Sequence, residues 1–182
     1  MIALKFMRSG ARSLFAGQSW PRPSAATPGA WLETGPGPLV PCKNGLHACR
    51  IEDLAFWIAD ELWQVELDAE CISAPDALVA RRARLVRRIE RWDASQARGQ
   101  FAERCVARAA DGCRRAALPD THRAAQYLEQ AEGFARAGNA AVAAYAAALV
   151  FGALAPAAGA MTAFRTERRE QGPVLADVLG LA

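Results

Sequence analysis

A chain of 182 residues with 52% apolar and 23% charged residues and a net charge of +3 can bury one ordinary core or two small ones, which excludes a disordered tail and a strongly basic nucleic-acid domain. The charge is unevenly spread: residues 1–74 hold six basic and eight acidic groups, residues 75–182 sixteen and eleven. Alanine inflates the apolar fraction, so helices built from it pack closely and gain little from each contact.

Residues 2–7, IALKFM, alternate weakly and predict a strand. Ser9-Gly10 turns the chain, and Arg12 to Trp20 has the makings of another short strand. The loop 18–41 follows, where Pro21, Pro23, Pro28 and Pro36 exclude helix and central strand. Trp20 and Trp31 lie inside it and are expected to fold back as lids on the N-terminal core. Leu46-His47-Ala48-Cys49 predicts a strand. Ile51 to Glu61 predicts a helix with an acidic first turn and with Leu54, Trp57 and Ile58 on one stripe. Leu62 to Leu67 then alternates as a half-buried strand.

Pro75-Asp76 opens a predicted helix from Ala77 to Trp92, with Leu78, Leu85, Ile89 and Trp92 inward and the arginines of 81–91 around the rest. A second runs from Gln100 to Leu118, and a third, capped by Asp120 or Thr121, reaches Ala137. Ala140 to Leu154 forms a fourth. Having no charge, it belongs at the centre of a bundle or under a subunit interface, anchored by Tyr145, Leu149, Val150 and Phe151. Thr162 to Gln171 is a charged helix, and Val174 to Leu179 dock a final turn. The fold class is α+β: a small N-terminal mixed sheet with one helix (1–74), packed against an alanine-rich helical bundle (75–182) as one cooperative globule. The uncharged stretch Ala137 to Phe164 is long enough for a membrane span, but its alanines and Pro156 make it too weakly hydrophobic, so no membrane contact is expected.

Five cysteines are an odd number, and the basic residues within MIALKFMRSGARS interrupt any secretory apolar core, so a reducing cytoplasm with free thiols is expected. Cys42-x4-His47-x-Cys49 has ligand types suited to zinc but lacks a C-x2-C knuckle. No metal and no cofactor are expected; if one metal were held, Cys42, His47, Cys49 and Cys71 would be its ligands. Arg81, Arg84 and Arg88, on the predicted Arg81–Arg91 helix, offer contacts to a phosphate backbone, against the plainer reading of a solvated face. Glu66 alternates out of an aromatic-rich strand, where desolvation would raise a carboxyl pKa.

Two resemblances are carried by particular blocks. FAGQSWPRP (15–23), the C-x4-HAC block (42–49), LWQVEL (62–67), RARLVRRIERWD (82–93) and ERREQGPVLADVLGL (167–181) resemble a family of small high-GC, chiefly actinobacterial, proteins that brings no established activity. Asn44-Gly45-Leu46-His47-Ala48 followed by Ala55-Phe56-Trp57 is similar to the strand and helix that frame the nicotinamide pocket of ADP-ribosyltransferases. That resemblance implies a catalytic set in which His47 stands at the block's aromatic, Trp57 near its stacking tyrosine and Glu66 at its glutamate. The chain departs from it in lacking the initial histidine or arginine, unless Lys5 or Arg8 substitutes, and in having few strands before Glu66. The leading functional expectation is a soluble cytoplasmic interaction protein that contacts another protein or itself. The alternatives are a transferase or small hydrolase using His47, Trp57 and Glu66, and a nucleic-acid binder using the arginines.

Overall fold

In the computed structural model, which describes residues 1–116 and 122–181, the alternating run at the start of the chain is strand β1 (Ile2–Met7). The next strands in chain order are β2 (Leu32–Glu33), β3 (Leu46–Ala48), β4 (Glu61–Leu67), β5 (Cys71–Ala74), β6 (Ala77–Ala80) and β7 (Arg82–Arg88). They form a four-stranded sheet of order β1-β4-β7-β2 and a three-stranded sheet of order β3-β6-β5, with every strand pairing antiparallel. A pair of backbone hydrogen bonds between Leu4 and Cys49, 3.0 and 2.6 Å long, joins β1 to the residue just past β3 and so ties the sheets together. Met7, Trp20, Leu46, Trp63, Val65, Leu67, Leu78 and Leu85 fill the core between them.

The chain divides into two compact units, Met1–Asp93 and Ala94–Ala182. The boundary falls at 93/94 and not at 74/75, because the predicted Arg81–Arg91 helix does not form. Residues 77–88 are strands β6 and β7. Arg82-Ala83-Arg84-Leu85 alternates with period two, and Ala83 and Leu85 are buried. Arg84 bonds to Glu66 at 2.7 Å and Arg87 to Gln64 at 2.9 Å across the β4–β7 pair. These cross-strand pairs, with burial of one face, outweigh the helix propensity of arginine. Leu78, Leu85, Ile89 and Trp92 are inward as expected, but from strands and a 3-10 turn (Glu90–Asp93). The helix expected over 51–61 is a shorter 3-10 segment, Ile51–Trp57, and Glu61 instead opens β4. Of the two loop tryptophans, Trp20 is buried, whereas Trp31 is half-buried under the guanidinium groups of Arg82 and Arg84, 5.1 and 4.6 Å from its ring.

The second unit is the alanine-rich bundle: α1 (Ser95–Arg115), α2 (His122–Arg136), α3 (Ala140–Leu154) and α4 (Ala160–Leu179). The expected caps Asp120 and Thr121 lie outside the described residues. Helix α3 is central, packing against α1, α2 and α4 through buried Ala143, Ala144, Ala147, Ala148 and Val150. Tyr145 is not an interior anchor. It is 49% exposed and rests edge-on against Phe164 at 5.2 Å. Small residues permit close approach: a Cβ on Gly112 would stand 3.2 Å from the Phe151 ring. Register is set by polar links, in which Arg108 forks onto buried Glu167 (3.0 and 2.9 Å) and buried Gln171 donates to the Ala144 carbonyl (2.8 Å). Helix α4 runs unbroken through Pro173, merging two expected pieces, and ends at Gly180 with φ 66°. Among the described residues no helix is long and apolar enough to cross a membrane.

Ala147 has no accessible surface, so Ala147→Lys forces an unpaired ammonium among alanines and is expected to cost about 3 kcal/mol or more. Val142, 37% exposed on the same helix, should accept lysine with little loss. Thermal melts of the two variants check this. Equal melting temperatures would contradict the central placement of α3.

Candidate functional site

The first unit contains a pocket of about 690 Å³, walled by the 13–20 loop, residues 33–35, the 42–49 segment, Trp57 and Ala77, with Lys5 and Phe6 of β1 at its base. Its position follows from the strand pattern. Lys5 stands between Ala3 and Met7 on the core-bearing face of β1, where alternation calls for an apolar residue. The Leu4–Cys49 bridge brings the 46–49 segment alongside, and the Lys5 ammonium donates to the His47 carbonyl at 2.6 Å. The Trp20 ring lies 5.1 Å from Nζ.

Lys5 keeps some accessible surface because it lines the cavity, yet protein atoms crowd its ammonium. Among the described residues no carboxylate pairs with it. Desolvation therefore brings its pKa down from 10.5 to about 8. The neighbouring Cys49 thiol is pushed up to about 12, chiefly by its own burial, so it remains neutral and gives Lys5 no counter-ion. The other lysine, Lys43, is exposed at the rim of the same pocket. Among the described residues one carboxylate lines it, Glu33, which stands 3.9 Å from Arg82. The remaining surface is largely apolar and aromatic. Phe15 and Trp57 meet edge-on across the mouth at 6.0 Å, and the Trp57 indole is fixed by donation to the Asp76 carbonyl at 2.7 Å.

Glu61 holds the wall in place. It is buried, and burial alone would raise its pKa. The Gly10 and Ala11 amides, the Trp63 indole and the Arg88 guanidinium outweigh that and hold it below the usual carboxylate value. The same amide bonds secure Ala11 at φ 55°, a left-handed conformation an alanine rarely adopts, at the start of the 11–20 loop. On the opposite wall, Gly45 has no substitute, since a Cβ there would lie 2.1 Å from Val79 Cγ1.

The predicted site residues separate. His47 and Trp57 line the pocket, but Glu66 does not. It is on the outward side of β4, 2.6 Å from the Arg84 guanidinium. One ring nitrogen of His47 is engaged: Nε2 accepts from the Cys42 amide at 3.1 Å. Burial, then the Lys5 charge, lower its pKa, so the imidazole is a neutral brace for the 42–47 turn. Cys42 is exposed, Cys49 is buried and Cys71 lies in β5 opposite Ala80, so the four conditional zinc ligands are not assembled. Among the described residues no group of three or more His, Cys, Asp or Glu side chains is placed to hold a metal ion. Arg81, Arg84 and Arg88 likewise share no helix face. Arg81 clamps the Gly35 and Gly37 carbonyls and Glu70, Arg84 is paired with Glu66, and Arg88 is paired with Asp93 and Glu61.

Lys5 and Lys43 were not singled out for the pocket by sequence reasoning, although the chain carries a signal. They are its only lysines, the other 20 of its 22 basic residues being arginine, and both line one cavity. Comparison with protein-family models, curated proteins and solved structures finds no match.

The lowered Lys5 pKa has a definite sign for stability. Between about pH 8 and 10.5 the unfolded chain binds the proton that the folded protein has released, so stability rises with pH through that window, and the burial cost is fully present below it. Lys5→Met removes the cost. Urea unfolding is expected to show the variant gaining on the parent by on the order of 2 kcal/mol at pH 7, with the difference shrinking above pH 8 and gone only above about pH 10.5. A difference independent of pH would mean the ammonium is well solvated.

Proposed function

We propose that the N-terminal unit is a receptor for a small organic anion with an apolar or aromatic body. The observation that carries this reading is a crowded ammonium without a carboxylate partner at the base of a cavity of about 690 Å³, a size suited to a small ligand. An uncompensated charge in low-dielectric surroundings is costly, and an anion entering the pocket would supply the missing counter-charge. Lys43 at the rim adds a second positive group, and Phe15 and Trp57 offer ring surface to a flat body. The transferase or hydrolase reading built on His47, Trp57 and Glu66 is weaker, because Glu66 lies off the pocket and His47 Nε2 is taken up by the Cys42 amide. The nucleic-acid reading loses its arginines to carboxylates.

A second role, contact with another protein or a second copy, is supported by Phe134, Val142, Tyr145 and Met161, which leave large apolar side chains exposed on the helical unit. All five cysteines are free thiols, which supports a reducing, cytoplasmic setting.

Titration with benzoate, followed by amide NMR shifts, tests the anion reading. Amides of residues 5, 13–18 and 45–49 are expected to move saturably, and Lys5→Met should weaken binding about tenfold, or ~1.4 kcal/mol. If benzyl alcohol shifts the same amides equally well, the anionic part of the reading is wrong. If neither compound moves them, the pocket is not a receptor of this kind.

A further inference from the structure

Among the described residues the ion pairs with carboxylates are made by arginine, as in Arg84 with Glu66, Arg81 with Glu70, Arg108 with Glu167 and Arg104 with Asp177. Guanidinium is suited to such pairs because it stays charged and forks onto two oxygens. An amine differs in one respect that matters chemically, since it can give up its proton and become a nucleophile. The chain has two lysines, and among the described residues the inner one has no carboxylate beside its charge, only a carbonyl and an indole face.

We propose that Lys5 is an imine-forming residue, and that the pocket accepts aldehydes with an aromatic or apolar body and binds them reversibly through a covalent bond to Nζ. The inference deepens the receptor reading given above and rests on it. The geometry meets the requirements of the step. The amine lines a cavity with room for a carbonyl compound, and its hydrogen bond to the His47 carbonyl uses one N–H and leaves the nitrogen lone pair free. Around pH 8 about half of Lys5 is unprotonated. The neighbouring Cys49 stays a thiol, so it does not compete as a thiolate nucleophile.

In the step itself the Nζ lone pair forms a bond to the carbonyl carbon, and the C=O π pair moves onto oxygen. A proton passes from nitrogen to that oxygen through solvent, giving a carbinolamine. The hydroxyl then leaves as water with one further proton while the nitrogen pair closes the C=N bond, so amine plus aldehyde become imine plus water and no oxidant or reductant is required. The Trp20 face, 5.1 Å from Nζ, favours the protonated imine as it favours the ammonium.

The test uses the full chain, which offers only three amines: Lys5, Lys43 and the α-amino group of Met1. One equivalent of 4-carboxybenzaldehyde is added with sodium cyanoborohydride at about pH 7.5, and the reduced adducts are located by peptide mass spectrometry. Lys5 is expected to be labelled at least tenfold faster than Lys43 and Met1, with the rate levelling off above about pH 8 and falling when benzoate is present. Labelling of Lys43 or Met1 at an equal or greater rate overturns the proposal, and this comparison within the unmodified protein needs no variant to fold. Lys5→Arg, which keeps the charge, should lose the pocket label while still binding benzoate; a label persisting at the pocket overturns the assignment. If benzoate binds but Lys5 is not preferred, the imine is wrong and the anion receptor stands. If Lys5 is preferred but benzoate does not bind, the imine stands and the anion reading falls.

Discussion

The two hydrogen bonds between Leu4 and Cys49 are the constraint on which the N-terminal unit depends. They fasten the first strand of one sheet to the end of the first strand of the other. The 13–20 loop, residues 33–35 and the 42–49 segment wall the pocket that Lys5 and Phe6 of β1 also line. The bridge also sets the register that places the Lys5 ammonium against the His47 carbonyl. A one-residue slip in β1 would carry Lys5 to the opposite face and put an aliphatic side chain at the base of the pocket.

Charge is then partitioned by its partners. Carboxylates that look free in the sequence are engaged: Glu61 by two amides, an indole and a guanidinium, Glu66 by Arg84 and Glu70 by Arg81. Each contact secures a strand edge or a loop, and so the pocket walls are positioned by polar bonds as much as by apolar packing. Histidine follows the same logic. Its Nε2 accepts from the Cys42 amide and so braces the 42–47 turn.

The helical unit solves a different problem. Alanine buries little area, so a bundle with α3 at its centre gains little from each contact and has few knobs to set its register. The Arg108–Glu167 fork and the Gln171 bond to the Ala144 carbonyl supply directional restraints between helices that alanine does not.

Much of the architecture was legible from local pattern. The alternation of 2–7 and 62–67 marked strands, and the charge-free run Ala140 to Leu154 marked α3 to the residue. The α+β division followed from these periodicities, because side-chain spacing is a property of the local backbone. The arginine-rich 77–92 segment was misread because its composition suits a helix, and only pairing with β4 reveals the period-two pattern within it. Trp57, His47 and Glu66 were grouped only by the resemblance to ADP-ribosyltransferases, and Glu66 could not be separated from the other two, since the direction of a strand face depends on its neighbours. The sequence by itself determined where the chain extends or coils and that lysine is scarce. Tertiary structure alone decided which charges find partners, because pairing joins residues distant along the chain, and that is why the unpaired Lys5 became visible only in the folded protein.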